Sequence, residues 1–538
     1  VAWSIQTANE LAVGRLAADC DIHPVLARLL VLRGFGTVDD AGRFLHPLLT
    51  DLRSPALMPD MDKALVRIRS AVERKEKLLV WGHDDLDGAT SVALLVKSLT
   101  ELGADVAFYI PDKTQEPHGL NRKRLEQFAR GGVRLVITTD CGITNVAEAR
   151  FARQAGVDVV ITDHHELTGG MPEACAIIDP KRPDSGYPFV ELSGAGVALK
   201  LSMALIGVSG AEVFALRPEL LALATLGTIA DRVCLVDENR VLVSFGLRVL
   251  AESPKPALRA LRETIGLPVD QLTVDRIMGE VIPVFTSIDA QQTVQFFLEQ
   301  DGQRATDFLS RVLSRVSDFK DQGKAGLEIL ERQAYLSDNL VVAYDPDISI
   351  RHLGFCATKL RNRFLMPTLV MTQRGESWVG ELRGFDGDDL IVLLKSLGNY
   401  LVEYGGHKRA CGFSIREDRL ESFLHEAQEY ARVHFHSSAP RTNPIADGIL
   451  PLSQLSKDFQ DLAPLGPGNA PPLLVSPATR LAASAHDRRL VAEENPALAI
   501  ATVKPIAQLN GRIDVLYKFD DYLNVTIVDF ANSDPAIT

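Results

Sequence analysis

Within "WGHDDLDG", residues 81–88, three aspartates and a histidine crowd positions 83–87 between the apolar run "KLLV" and the helix-like "ATSVALLVKSL". Like charges this close repel and resist burial, so the stretch calls for bound cations, a salt-bridge partner or a solvated loop. Two further apolar runs end in the same chemistry: "VRLVITT" leads into Asp140, and "VDVVIT" into Asp163, His164 and His165. Asp231 follows the apolar "LLALATLGTIA" and is placed to reach the same edge. A single aspartate after a strand usually caps the next helix. Three strand ends carrying acids, with His83, His164 and His165 beside them, point to metal instead. Mixed aspartate and histidine ligands suit Mn²⁺, Fe²⁺ or Zn²⁺, and the excess of oxygen favours manganese or magnesium. Five or six ligands fit two ions ~3.5–4 Å apart bridged by one carboxylate, an arrangement that activates water for in-line displacement at phosphorus. Gly88, at the start of the following helix, would let backbone N–H groups approach an anion.

The elements that must position these groups are legible as a pattern. From residue 77 to about 165, "KLLVW", "DVAFYI", "VRLVITT" and "VDVVIT" alternate with the amphipathic "ATSVALLVKSLTELG", "NRKRLEQFARGG" and "NVAEARFARQAG". Runs of Val, Ile and Leu separated by such helices predict an α/β fold with a doubly wound parallel sheet, whose ligands bind beyond the carboxyl ends of the strands. We expect an N-terminal helical segment over 1–70, the catalytic α/β domain over 71–245 and connecting helices over 246–337, including a long helix at roughly 290–337. A second, smaller α/β domain is expected over 338–437 and a small β-barrel over 442–538.

The 538 residues exceed what one hydrophobic core usually organises. No uninterrupted apolar stretch approaches the ~20 residues of a bilayer span, and the first residues lack a signal-peptide pattern, so the expectation is a cytoplasmic protein with no membrane partner. Six cysteines, at 20, 141, 175, 234, 356 and 411, form no CxxC pair and argue against a zinc ribbon or a disulfide scaffold. A net charge of −13 argues against a nucleic-acid coat protein but leaves room for a local basic groove.

At these residues the chain resembles the DHH phosphoesterase superfamily and, within it, the RecJ single-strand-specific 5′-exonucleases. The resemblance runs through "HDDLDGATS" (83–91), "YIPDKTQEPHGLN" (109–121), "VITTDCGIT" (136–144), "VVITDHHE" (159–166), "IIDPKRPDSGYPF" (177–189), "ELSGAGVALKL" (191–201) and "ATLGTIADRVCLVDENR" (224–240). It continues in "EYGGHKRACGFSI" (403–415), similar to the glycine-histidine motif of the DHH-associated domain, and in "LAPLGPGNAPP" (462–472), similar to the segment leading into an OB-like barrel.

The resemblance implies that Asp85, Asp87, Asp140, His164 and Asp231 hold two Mn²⁺ or Mg²⁺ ions, with Asp140 bridging. Asp163 would support them, and His165 would contact the scissile phosphate or assist proton movement. His83 stands where the family usually has an aspartate and Asp84 where it has an aromatic; histidine still binds Mn²⁺, so His83 is a candidate ligand. Gly405, Gly406 and His407 would bind a substrate phosphate opposite the metals, with Arg383, Lys408 and Arg409 as further phosphate contacts. Arg122, Arg124, Arg361 and Arg363 are candidates for a basic groove along the strand.

Two family segments are altered. "PVFTSIDA" (283–290) lacks the expected arginines and asparagine, and "SWVGELRGF" (377–385) has Gly380 where an arginine is expected. The implied activity is 5′-to-3′ hydrolysis of single-stranded DNA in repair and recombination by a monomer, with single-strand-binding protein as a partner. The alternatives are a phosphodiesterase for short oligonucleotides or another small phosphodiester, and a weakly catalytic DNA-binding paralogue.

Overall fold

The computed structural model describes residues 3–337, 339–385, 387–435, 444–483, 490–502 and 512–532. Its centre is a five-stranded, all-parallel sheet of β1 (Lys77–Trp81), β2 (Asp105–Tyr109), β3 (Val133–Thr139), β4 (Asp158–Thr162) and β5 (Ala176–Ile178), in the order β2-β1-β3-β4-β5. The first four match the apolar runs. The fifth is three residues long, too short to stand out as a pattern. In register, Trp81 pairs with Tyr109 and Thr138, and Thr162 with Thr139 and Ile178, so the carboxyl ends of the strands finish level.

Helix α1 (Leu86–Glu101) is buried on nearly every side because α4 (Gly194–Ile206) and α5 (Pro218–Ala230) pack over it, while α2 (Arg122–Arg130) and α3 (Val146–Gln154) cover the other sheet face. A helix between two others must be apolar nearly all round, so "ATSVALLVKSL", expected to be amphipathic, instead buries almost every residue, as does "LLALATLGTIA". Helix α6 (Asp237–Glu252) follows, anchored through buried Arg240.

The expected long helix begins later than its pattern suggested. Residues Ala290–Leu298 form a separate helix, and α7 (Gly302–Gln333) starts after a break at which Asp301 accepts from the N–H of Arg304. Beyond α7, six strands form a mixed sheet that carries the hairpin Leu401–His407 and Ala410–Arg416 at one edge.

The N-terminal helices Glu10–Cys20, Pro24–Leu32 and Val38–Leu45 share one core with the C-terminal strands, from Leu16, Leu29 and Phe44 to Leu474, Tyr517 and Ile527. Ser4–Ile5 even pairs in parallel with Ile445–Ala446. Those C-terminal strands form an open seven-stranded sheet running from Gly448–Ile449 to Leu481–Ala483, and among the described residues the two end strands do not pair to close the expected barrel. No single helix among the described residues is long and apolar enough to cross a membrane. No disulfide joins the six cysteines, all of which lie among the described residues.

Candidate metal centre and the facing domain

The level carboxyl ends of β1, β3 and β4 bring Asp87, Asp140 and His164 together, their ligand atoms all within 4.8 Å of one another. All three are buried. Asp87 is fixed from above by the N-terminus of α4: Gly194 N–H donates to Oδ2 at 2.8 Å and Ala195 N–H to Oδ1 at 2.9 Å. Asp140 adopts φ +60°, a left-handed conformation uncommon outside glycine, where Asp and Asn are the better-tolerated exceptions. Its backbone N–H donates to Thr162 O.

Burial, reinforced by Asp85, raises the Asp87 carboxyl to about 7. Burial and then Asp87 push Asp140 well above the carboxylate range, and burial and then Asp87 do the same to Asp231. The protein alone therefore does not compensate this cluster.

His164 shows what would. Burial, followed by the neighbouring His165, holds its ring neutral, so it carries one N–H, and Nδ1 spends it on Leu192 O at 3.0 Å. Nε2 is then a bare lone pair, buried without a hydrogen-bond partner, 3.0 Å from Asp140 Oδ1 and 4.0 Å from Asp87 Oδ2. Three acceptors facing one another need a cation. Asp231 Oδ2, also buried and without a partner, lies 3.7 Å from Nδ1 of the same ring, outside the tight cluster. Oxygen-rich ligands with imidazole suit Mn²⁺ or Mg²⁺.

Asp163, whose ligand atom lies within 4.8 Å of those of Asp140 and His165, is committed to the loop. Its Oδ2 accepts from Ile143 N–H, while Oδ1 accepts from the N–H groups of His164 and His165 and lies 2.7 Å from His165 Nδ1. Despite burial, His165 and these backbone donors pull Asp163 below the usual range. In return, Asp163 overcomes burial to raise His165 to about 9. Asp163 thus sets the loop and orients a cationic His165.

Asp85 caps α1, its Oδ1 accepting from Gly88 N–H at 2.8 Å, and its Oδ2 lies 4.0 Å from His83 Nε2. His83 and Asp85 stand beside the tight cluster, and Asp85 is near enough to raise both Asp87 and Asp140. Gly88 does not offer its N–H to an anion, because the cap takes it. Glycine is required there because a Cβ would meet His83 O at 2.4 Å. Asp84 turns inward: it accepts from Lys113 N–H and Ala290 N–H and pairs with Arg351 at 3.5 Å. The altered segment 283–290 is therefore docked on the altered residue of the first motif.

Across the cleft, His407 ends the strand carrying Gly405 and Gly406. Gly406 has φ +127°, and a Cβ would meet Ala410 O at 2.4 Å. The His407 ring stacks on His165 at 5.3 Å and 14°, and its Nε2, buried and without a hydrogen-bond partner, is 4.0 Å from Asp231 Oδ2. The hairpin thus faces the metal ligands directly.

The basic candidates are mostly engaged. Arg383 donates to Glu381 and Leu382 O, Arg361 to Gly384 O, and Arg124 to Glu116. Arg363 pairs with Glu331, Arg122 lies 3.8 Å from Glu148, and Lys408 and Arg409 are exposed on the hairpin turn.

Residue-type reasoning missed Gly194 and Gly227, whose added Cβ atoms would meet Asp140 Oδ1 at 2.6 Å and Asp87 Oδ1 at 2.3 Å. It also missed Lys181, which reaches His407, and His118, whose ring stacks on His83 at 5.1 Å. A glycine inside an apolar helix is the one signal that pointed to Gly227.

A parallel sheet with acid- and histidine-bearing strand ends, facing a glycine-histidine hairpin on a second domain, is the DHH architecture. Residues 77–228 match the DHH family, N-terminal domain, and residues 337–432 match the DHHA1 domain. The chain is 33% identical over 445 residues to the single-stranded-DNA-specific exonuclease RecJ of Bacillus subtilis, covering 80% of this chain and 55% of that protein. It is 30% identical to RecJ of Thermus thermophilus, covering 88% of this chain and 69% of that one. The crystal structure of the Thermus protein with Mn²⁺ superposes with a TM-score of 0.79 at 26% identity, over 99% of this chain and 80% of that one. The chain belongs to the RecJ family. It spans little more than half the length of the Bacillus relative.

Proposed function

We propose that this protein is a metal-dependent phosphodiesterase that removes nucleotides from the 5′ end of single-stranded DNA. The observation that carries the reading is the bare His164 Nε2 set among Asp140 and Asp87 beneath His407, joined with relatives named as single-stranded-DNA-specific exonucleases. In this reading Asp87, Asp140, His164 and Asp231 would hold two Mn²⁺ or Mg²⁺ ions, with Asp85 and His83 as further ligands. Bound ions supply charge stabilisation at phosphorus and an activated water.

The chain's own groups do the rest. His165, kept cationic by Asp163, offers a donor to the phosphate, and His407 offers one from the opposite wall. We read the C-terminal unit as OB-like and the substrate as lying between the two α/β domains. Single-strand-binding protein and a role in repair belong to the same proposal.

A second reading, a phosphodiesterase for short oligonucleotides, is favoured by one observation: Arg383 is held by Glu381, while Gly380 and segment 283–290 supply no arginine. Digestion of 5′- and 3′-labelled single strands of graded length, DNA and RNA, with Mn²⁺ decides between them. Release of labelled mononucleotide from the 5′ end of long DNA supports the exonuclease; stalling on long strands with turnover of short ones supports the second reading.

A further inference from the structure

The loop after β5, "DPKRPDSG" (179–186), carries a lysine that the metal centre does not use. Lys181 Nζ crosses the cleft to His407 Nδ1 at 3.3 Å. The loop is held in place for this: Lys181 N–H donates to Asp179 Oδ1 at 2.8 Å, and the next residue, Arg182, donates to Asp60 and to Ile177 O. A lysine ammonium has three donors and no acceptor, so a contact at Nδ1 makes that nitrogen the acceptor. The single proton of a neutral imidazole then sits on Nε2, the atom that points at the metal ligands without a hydrogen-bond partner.

We propose that Lys181 is a positioning residue that fixes His407 in its Nε2–H tautomer, making His407 a hydrogen-bond donor to a non-bridging oxygen of the substrate phosphate and not a ligand of the metals. The inference deepens the phosphodiesterase reading and rests on it for the identity of the phosphate.

His164, His165 and His407 cluster closely enough for a metal to be imagined among them. The alternatives differ at one atom: a ligating Nε2 must be bare, and a donating Nε2 must carry hydrogen. His164 and His407 are then opposites. A carbonyl takes the Nδ1 proton of His164 and leaves Nε2 free for metal; an ammonium occupies Nδ1 of His407 and places the proton on Nε2. Because Lys181 belongs to the catalytic domain and His407 to its neighbour, the tautomer is set only when the two domains face each other as they do here.

The test combines a spectrum with a kinetic cycle on the full chain. With the protein labelled in its histidine rings, loaded with Mg²⁺, and His407 assigned by comparison with His407→Gln, long-range ¹H–¹⁵N correlations should show Nε2 protonated and Nδ1 bare. Lys181→Met should lower kcat on single-stranded DNA by about 10- to 100-fold, the scale of one charge-assisted contact, without changing Mn²⁺ affinity. Lys181→Arg, which keeps a donor, should recover most of that loss. In a His407→Ala background Lys181→Met should cost less than about twofold more, since the two act as one unit. A proton on Nδ1, or a full-size loss from Lys181→Met without the imidazole, overturns the assignment. If the wild-type protein hydrolyses no phosphodiester yet shows the Nε2–H spectrum, the tautomer assignment stands and the phosphodiesterase reading fails.

Discussion

Gly227, in the third turn of α5, lies directly against Asp87: a Cβ built on it would stand 2.3 Å from Asp87 Oδ1 and 2.7 Å from Thr90 Oγ1. Asp87 cannot retreat, because both its oxygens are held by the N–H groups of Gly194 and Ala195. The Gly227→Ala variant should therefore displace the carboxylate. We expect at least tenfold weaker Mn²⁺ binding by calorimetry and an overpacking cost of about 1–3 kcal/mol in denaturant unfolding. Unaltered Mn²⁺ affinity would show that Asp87 is not a ligand.

Asp140→Asn keeps the side-chain volume and tolerates the left-handed backbone while removing one of the crowded charges. Since burial and Asp87 already disfavour the Asp140 carboxylate, the metal-free variant should be the more stable protein, with Tm raised by a few degrees, ~1–2 kcal/mol. Its Tm should no longer rise on adding Mn²⁺, and hydrolysis should be lost while single-stranded DNA still binds. A metal-free Tm below that of the wild type would contradict the account of like charges held in reserve for cations.

The parallel sheet was readable because strands buried on both faces must be continuous in Val, Ile and Leu, and the edge where Asp87, Asp140 and His164 meet followed from parallel register alone. What could not be read was non-local. Nothing near Ser4–Ile5 announces a partner at Ile445–Ala446, and helices that seemed a leading segment share the core of the C-terminal sheet. Three-residue β5 falls below any periodicity. Within the site, residue type indicated which groups could bind metal but not which oxygens were already committed. Asp84 and Asp85 look alike in "HDDLD", yet one staples segment 283–290 and the other caps α1. Lys181 carries no local signal, because its partner is 226 positions away.

Arg240 shows how the C-terminal unit is tied to the parallel-sheet domain. Its buried guanidinium packs 3.9 Å from the Phe44 ring and donates to the carbonyl oxygens of Phe44, Asp461, Leu462, Ala463 and Pro464. Burial, and then the nearby Arg33, depress it to about 9, so its charge is held by carbonyl dipoles. Arg240→Met retains the stem and strips donors from five carbonyls. Unfolding free energy should fall by about 3–5 kcal/mol, and limited proteolysis should open first near residues 461–464. Loss below about 1 kcal/mol would mean that water replaces the guanidinium at little cost.

Metal binding should depend on pH through Asp87. Its carboxyl, at about 7 in the folded metal-free protein against an ordinary 3.8, keeps a proton that a cation must displace. Because the folded value is the higher one, protonation of Asp87 favours the folded state. That contribution is complete below 3.8 and is lost as the pH rises through about 7, so this carboxylate penalises the metal-free fold in neutral solution. Mn²⁺ reverses the preference. Apparent Mn²⁺ affinity should climb by at least about tenfold per pH unit below pH ~7, with one proton released from Asp87 and further protons from Asp140 and Asp231, whose carboxyls are also raised. Calorimetry in buffers of different ionisation enthalpy counts those protons directly, and Asp87→Asn should lower the count by close to one and remove most of the affinity. A flat affinity across this range would show that Asp87 is already ionised before metal arrives, and that the backbone donors at the start of α4 outweigh its burial.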